Sequence, residues 1–206
     1  MEKDRLDKQL EFILAIDKEK DIFRQTYVSD ASRMENDAEH AWHMAVMCMI
    51  LSEYAEHPID KLKTMTMLLI HDLVEIYAGD TYAYAGVDAE EIHQREYAAA
   101  EKLYGMLPEE QGIYFMNLWK EFEEGKSPEA QFARTMDRIQ PMMLNAATDG
   151  RAWKEHKVRL SQIMKRNEHT AEGSSVLWDY ALKHFVMPHV ESGEIIDDET
   201  HSTGLK

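Results

Sequence analysis

Three ionisable residues fall within five positions of an otherwise apolar segment, LLIHDLVEIYAGD at residues 68–80. On a helix, His71 and Glu75 would be four positions apart and Asp72 and Glu75 three, so their side chains would project toward a common region. Burying unpaired charges among leucine, isoleucine and valine is costly. Two interpretations follow: the cluster binds a metal cation that offsets this cost, or it forms a structural salt-bridge or hydrogen-bond network.

Two more polar residues interrupt apolar helical segments elsewhere in the chain. His40 lies in the first turn of a helix that is apolar nearly all round, and Asp137 interrupts an apolar helical face. Each is weak evidence alone, since a lone histidine is more often a satisfied core residue and Asp137 could pair with Arg134 or Arg138. The order His, then His-Asp, then Asp is the informative pattern.

That order is found in the segments NDAEHAWHMAVM, LLIHDLVEIYAGD and PEAQFARTMDRI. It resembles the HD-domain metal-dependent phosphohydrolases, and within them the 5′-deoxynucleotidase-like branch. The resemblance implies one divalent cation bound by His40, His71, Asp72 and Asp137. It also implies that Glu75 and Asp72 are the catalytic carboxylates, with Glu75 orienting a water or moving its proton, and that a second cation could lie near Glu75 and Asp80.

Two imidazoles and two carboxylates suit manganese, cobalt, iron, nickel or zinc. A divalent ion makes a bound water nucleophilic near neutral pH and stabilises a phosphoryl group in flight. We therefore expect a metal-dependent phosphoric monoester hydrolase that uses a metal-activated water to release phosphate from nucleoside 5′-monophosphates, deoxyribonucleotides above all. A nucleotide pyrophosphohydrolase or phosphodiesterase on the same site is one alternative, and a non-catalytic nucleotide-binding regulator is another.

Substrate phosphate needs cationic partners, and the stretch RQTYVSDASR supplies Arg24 and Arg33. In the resembling branch an arginine near this place grips phosphate and is followed closely by a tryptophan that rejects ribose. Here Tyr27 is the nearest aromatic residue, a departure that leaves selectivity for deoxyribose open. The resemblance also places Asp80 beside the sugar, although an aspartate after Gly79 is ordinary turn composition.

The elements that must position these residues are helices, and the pattern predicts an all-α, single-domain HD fold with the metal site between central helices. The domain is expected over residues 1–190, with the metal-site core at about 36–145, C-terminal helices at about 150–190 and a flexible tail at 191–206. One helix is expected through KLKTMTMLLIHDLVEIYA. Pro141 is expected to kink or end a helix that starts at Ser127 and Pro128.

The overall charge narrows the range of partners. A formal net charge of −16 disfavours nucleic acid polymers and anionic membranes, which the chain would repel at long range. The single cysteine, Cys48, and the charged first residues favour a cytoplasmic protein. Resemblance to the branch implies a homodimer, and His43 is interpreted as a helix-packing residue.

Overall fold

The computed structural model describes residues 4–79 and 89–198, and these ranges are mainly helical, as predicted. One antiparallel hairpin joins β1 (Phe23–Tyr27) to β2 (Met34–Asn36). The α-helices are α1 (Arg5–Ile16), α2 (Asp37–Leu51), α3 (Lys61–Ile70), α4 (Glu75–Ala78), α5 (Ala89–Tyr104), α6 (Glu109–Glu124), α7 (Pro128–Ala147), α8 (Arg151–Glu155), α9 (Leu160–Arg166), α10 (Thr170–Gly173), α11 (Ser175–Ala181) and α12 (Met187–Glu191). Short 3₁₀ turns at Asp17–Asp21, Ser52–Tyr54 and His71–Val74 and a π turn at Leu182–Val186 connect some of them.

Side-chain caps fix where the central helices begin. Asn36 and Glu39 form a reciprocal capping box that opens α2, while Asp60 caps α3 and Ser127 caps α7. Gly79 ends α4 with a positive φ of 77°, which glycine adopts without steric cost. These boundaries can be predicted from the sequence, because capping depends on residues only a few positions apart.

The core lies between α2, α3, α5, α6 and α7, and α7 packs against α2, α3, α6 and α10. Its largest fully buried side chains include Trp119, Tyr104, Phe132 and Met67. Burying each such side chain contributes about 1.5–3 kcal/mol. This packing brings α2 and α3 against α7, and the predicted metal ligands lie on α2, on the turn that follows α3 and on α7.

The single helix predicted over residues 61–78 is instead broken in the middle. α3 ends at Ile70, a 3₁₀ turn carries His71 and Asp72, and α4 resumes at Glu75. The Tyr104 hydroxyl donates to the Ile70 carbonyl at 2.9 Å, so a long-range contact satisfies an acceptor at the break. The tighter turn changes the direction of His71 and Asp72 relative to a regular helix.

Pro141 does not end its helix, because α7 continues to Ala147. Proline has no N–H to donate to the carbonyl of Asp137, so the helix loses one internal hydrogen bond there. Buried residues on both sides of it, including Ile139, Met142 and Leu144, keep α7 packed against the core.

The first part of the tail that was predicted from residue 191 packs against the rest of the chain. Ile195 is buried, and Ile196 exchanges backbone hydrogen bonds with Val158 and Leu160. The apolar Ile195–Ile196 pair within the polar tail explains this docking, while residues beyond 198 lie outside the described part. Within the described ranges no helix is both long and apolar enough to cross a membrane.

Candidate metal centre

The fold brings the predicted metal ligands to one buried point between α2, the 3₁₀ turn and α7. Ligand atoms of His40, His71 and Asp72 lie within 4.8 Å of one another. The Oδ1 atom of Asp137 is 3.2 Å from His40 Nε2 and 3.9 Å from His71 Nε2. Two imidazoles and two carboxylates thus converge from three separate elements.

His71 presents its Nε2 atom to this point. Its Nδ1 atom is 3.0 Å from the Leu68 carbonyl, which can only accept, so Nδ1 carries a proton. Nε2 is buried and has no aligned hydrogen-bond partner among the described residues, although Asp72 Oδ1 is 3.1 Å away. An orphaned imidazole nitrogen aimed at two carboxylates fits a bound cation.

Gln140 sets the orientation of His40. The Gln140 amide nitrogen donates to Glu35 Oε1 at 2.7 Å, which leaves its Oε1 atom to accept from His40 Nδ1 at 2.9 Å. Nε2 of His40 therefore faces Asp137. The same amide nitrogen lies 3.2 Å from His43 Nδ1, so His43 joins this hydrogen-bond network and is more than a packing residue.

Each of the two carboxylates turns one oxygen to the imidazoles and the other to an arginine. Asp72 Oδ1 faces His71, while Asp72 Oδ2 accepts from Arg24 at 2.8 Å. Asp137 Oδ1 faces both histidines, while Asp137 Oδ2 lies 3.5 Å from Arg138. One oxygen of each carboxylate is thereby directed to the centre.

Charge at the centre is balanced internally. Burial is the largest influence on the pKa of His71 and lowers it, but the Asp72 and Asp137 carboxylates together outweigh burial and raise this pKa to about 9. Burial likewise opposes the charged form of Asp72, yet His71 and Arg24 lower the pKa of Asp72 below its usual range. A divalent cation offers the same compensation without the imidazole protons, so these residues fit a metal.

Glu75 lies in a group of carboxyl groups beside the centre. It lies beside the fully buried Asp37 and influences the pKa of that carboxyl group. Burial first, and the Asp72 charge second, raise the pKa of Asp37 to about 6. Burial raises the pKa of the nearby Glu19 to about 7, with Asp72 and Asp37 adding to the effect. Glu75 therefore lies beside a carboxyl group whose pKa is raised.

Only one of the two arginines that were predicted to bind substrate lies at the metal centre. Arg24 reaches the centre, where its guanidinium donates to Asp72 and, at 3.2 Å, to Asp37. Arg33 does not, because both of its terminal nitrogens are paired with Glu39 near the surface.

Tyr27 and Asp80 were also predicted to bind substrate. The hydroxyl of Tyr27 donates to Glu155 at 2.9 Å, and its ring lies under the Arg151 guanidinium. No contact between Tyr27 and the four clustered residues is found in the described part. Asp80, which was also predicted to lie near a second cation, is outside the described residues.

Sequence reasoning missed the residues that support the ligands. No local sequence pattern marks Glu35, Asp37 or Gln140 as part of the site. The available signal was burial of polar residues, since Glu35, Asp37 and Gln140 are all almost inaccessible to solvent. A polar residue on an apolar helical face is ambiguous until its partners are known.

Replacing Gln140 by leucine is expected to weaken metal binding by about 10–100-fold, because His40 Nδ1 loses the acceptor that orients it. Metal affinity would be measured by competition with a chelating dye, alongside thermal unfolding. Gln94→Leu changes an exposed helical glutamine on α5 in the same way and should leave affinity unchanged. Unaltered affinity in folded Gln140→Leu protein would refute the orienting role.

Comparison with known proteins agrees with this geometry. The model of the HD domain family matches residues 16–178. The 5′-deoxynucleotidase HDDC2 of Homo sapiens is 30% identical over 139 residues, which is 67% of this chain and 66% of the relative. The Dictyostelium discoideum protein of the same name is 32% identical over 143 residues, 66% of this chain and 75% of that protein. The match thus spans just under two thirds of the human relative.

A solved structure is similar over almost the whole chain. It is described as a predicted metal-dependent phosphohydrolase from Magnetospirillum magnetotacticum MS-1, and it superposes with a TM-score of 0.86 at 41% sequence identity. The likeness covers 93% of this chain and 95% of the other.

Proposed function

This chain belongs to the HD domain family, and from that premise we propose that it is a metal-dependent phosphohydrolase that releases phosphate from nucleoside 5′-monophosphates, deoxyribonucleotides above all. The observation that carries the proposal is the inward direction of His40 Nε2 and His71 Nε2, each fixed by an oxygen behind its Nδ1 atom. The names of the relatives supply the substrate class.

His40, His71, Asp72 and Asp137 would hold the cation, and this mixed nitrogen and oxygen set accepts manganese, cobalt, iron, nickel or zinc. A divalent cation bound there supplies an activated water at neutral pH and stabilises charge on the phosphoryl oxygens. Gln140 and the Leu68 carbonyl keep both imidazoles in the ligating tautomer.

Arg24 is the proposed phosphate-binding residue. Its guanidinium is mostly buried beside Asp72, and it has more donors than its contacts with Asp72 and Asp37 use. Because the chain is strongly acidic, an anionic substrate needs a local cation of this kind. The contact with Asp72 holds the guanidinium next to the position of the reacting phosphoryl group.

Glu75 is the proposed general base, and its carboxylate would accept a proton from the attacking water. Its position three residues after the ligand Asp72 and beside Asp37, whose pKa is raised to about 6, supports this role. A second cation near Glu75 and Asp80 is proposed on the resemblance alone.

We also propose a cytoplasmic homodimer. Apolar side chains exposed on α1, including Leu10, Ile13 and Leu14, support self-association. The one cysteine, Cys48, is buried and free, which agrees with a reducing compartment. Light scattering coupled to size exclusion would test the dimer.

The proposed function is tested by phosphate release from a panel of 5′-deoxyribonucleotides and 5′-ribonucleotides. Metal-stripped protein would be resupplied with manganese, cobalt, zinc or magnesium, with 3′-monophosphates as controls. We expect metal-dependent orthophosphate release from the 5′-monophosphates. Pyrophosphate from triphosphates, or opening of a cyclic diester, would favour the pyrophosphohydrolase or phosphodiesterase. Nucleotide binding without turnover under every metal would favour the regulator.

A further inference from the structure

A cleft lined in part by Arg138 lies between the end of α6, α7 and the segment α9–α10. Its volume is about 330 Å³, large enough for a small ligand, and none of the four clustered ligand residues lines it. Its charged lining residues are Lys126, Arg134, Arg138, Arg166, Glu124 and Glu172.

The charge of this cleft is opposite to that of the chain. The whole sequence has 39 acidic and 23 basic residues, whereas four cationic side chains and two carboxylates line the cleft. The Glu172 carboxylate is occupied within the cleft, by His169 at 2.7 Å and Gln131 at 3.4 Å. Even when Asp137, which lies 3.5 Å from Arg138, is counted with the two lining carboxylates, one positive charge remains in excess, and this is the sign that a phosphate group needs.

The floor of the cleft is preorganised. Arg134 donates to the Glu123 carbonyl at the end of α6 at 2.8 Å, a contact that uses one of its five N–H donors. Gly125 has a left-handed φ of 61°, and a Cβ there would lie 2.6 Å from the Arg134 guanidinium. Glycine at this position therefore lets the Arg134 side chain cross beneath the turn.

Helix α10 forms one wall of the cleft and packs closely against α7. A Cβ at Gly173 would lie 2.3 Å from the Gln131 carbonyl, so glycine allows α10 to approach α7. The Thr135 hydroxyl then donates to the Thr170 carbonyl at 2.8 Å across the seam. The α10 wall is thus held by packing and hydrogen bonds that do not depend on Lys126 or Arg166.

We propose that this cleft is an anion site, separate from the metal centre, that binds the phosphate group of a small molecule. Planar guanidinium groups on a fixed backbone are the side chains best suited to phosphate oxygens. Arg138 borders both places, since it lines the cleft and lies 3.5 Å from Asp137 Oδ2. The source of the group is either free orthophosphate or a nucleotide.

Calorimetric titration of the purified full-length protein with orthophosphate tests the proposal. Lys126→Gln combined with Arg166→Gln removes two cations at the mouth of the cleft and should weaken binding at least tenfold. Lys165→Gln combined with Lys183→Gln removes two exposed cations that do not line it, and binding should be unchanged. Arg24→Gln alters the metal centre and should retain cleft binding.

Wild-type affinity in the Lys126→Gln, Arg166→Gln protein would overturn the proposal. Loss of binding in Arg24→Gln alone would also overturn it, because the anion would then occupy only the metal centre. The titration is then repeated with a deoxynucleoside 5′-monophosphate. If the Lys126→Gln, Arg166→Gln substitutions weaken binding of this nucleotide, the cleft binds the nucleotide; if they do not, the cleft binds free phosphate. Binding is measured without turnover, so the result is independent of the proposed activity.

Discussion

Replacing His71 by alanine is expected to abolish metal retention and phosphate release together. The imidazole is one of two nitrogen donors at the centre, and its buried Nε2 atom faces Asp72 and Asp137. Removing it leaves two carboxylates and one histidine. Changing a residue that only orients a ligand lowers metal affinity or activity by roughly 10–100-fold, and losing a ligand itself should have a larger effect. Metal content by elemental analysis and orthophosphate release would be measured on the same preparation.

Folding is the necessary control for this variant, because His71 is buried against Phe122. Asp72→Asn nearly preserves volume and should show the same joint loss with a native circular dichroism spectrum. His57→Ala removes an exposed histidine and should retain metal and activity. Full turnover by metal-free His71→Ala protein would be incompatible with the proposed mechanism.

Replacing Glu75 by glutamine is expected to lower kcat by about 10²–10⁴-fold, the contribution typical of a general base. The cation at the four converging ligands should be retained, because Glu75 is not among those ligands. Glutamine keeps the size of the side chain, but its amide cannot accept the proton.

The measurement is kcat and bound metal for Glu75→Gln beside Glu101→Gln, which changes an exposed glutamate on α5. Wild-type kcat in the Glu75 variant would exclude it as the base. Joint loss of metal and rate would instead reassign it to holding the ligands. The two variants at His71 and Glu75 therefore separate binding of the cation from movement of the proton.

Much of the local structure was predictable. The caps at Asn36, Asp60 and Ser127 and the stop at Gly79 follow from side chains and backbone torsions within a single turn. The docking of Ile195 was not predicted, because a short apolar pair in a polar segment gives no indication of what it will pack against.

The sequence by itself determined that the chain is mainly helical, and the order His, His-Asp, Asp indicated which four residues converge through the family resemblance that this order carries. Tertiary structure alone decided how they are held. His40 meets Asp137 and Gln140 across 97 and 100 residues, and no local periodicity encodes such contacts. It also decided that Arg24 reaches the centre while Arg33 pairs with Glu39, because two arginines nine positions apart have the same chemistry and only the hairpin between them sets their directions.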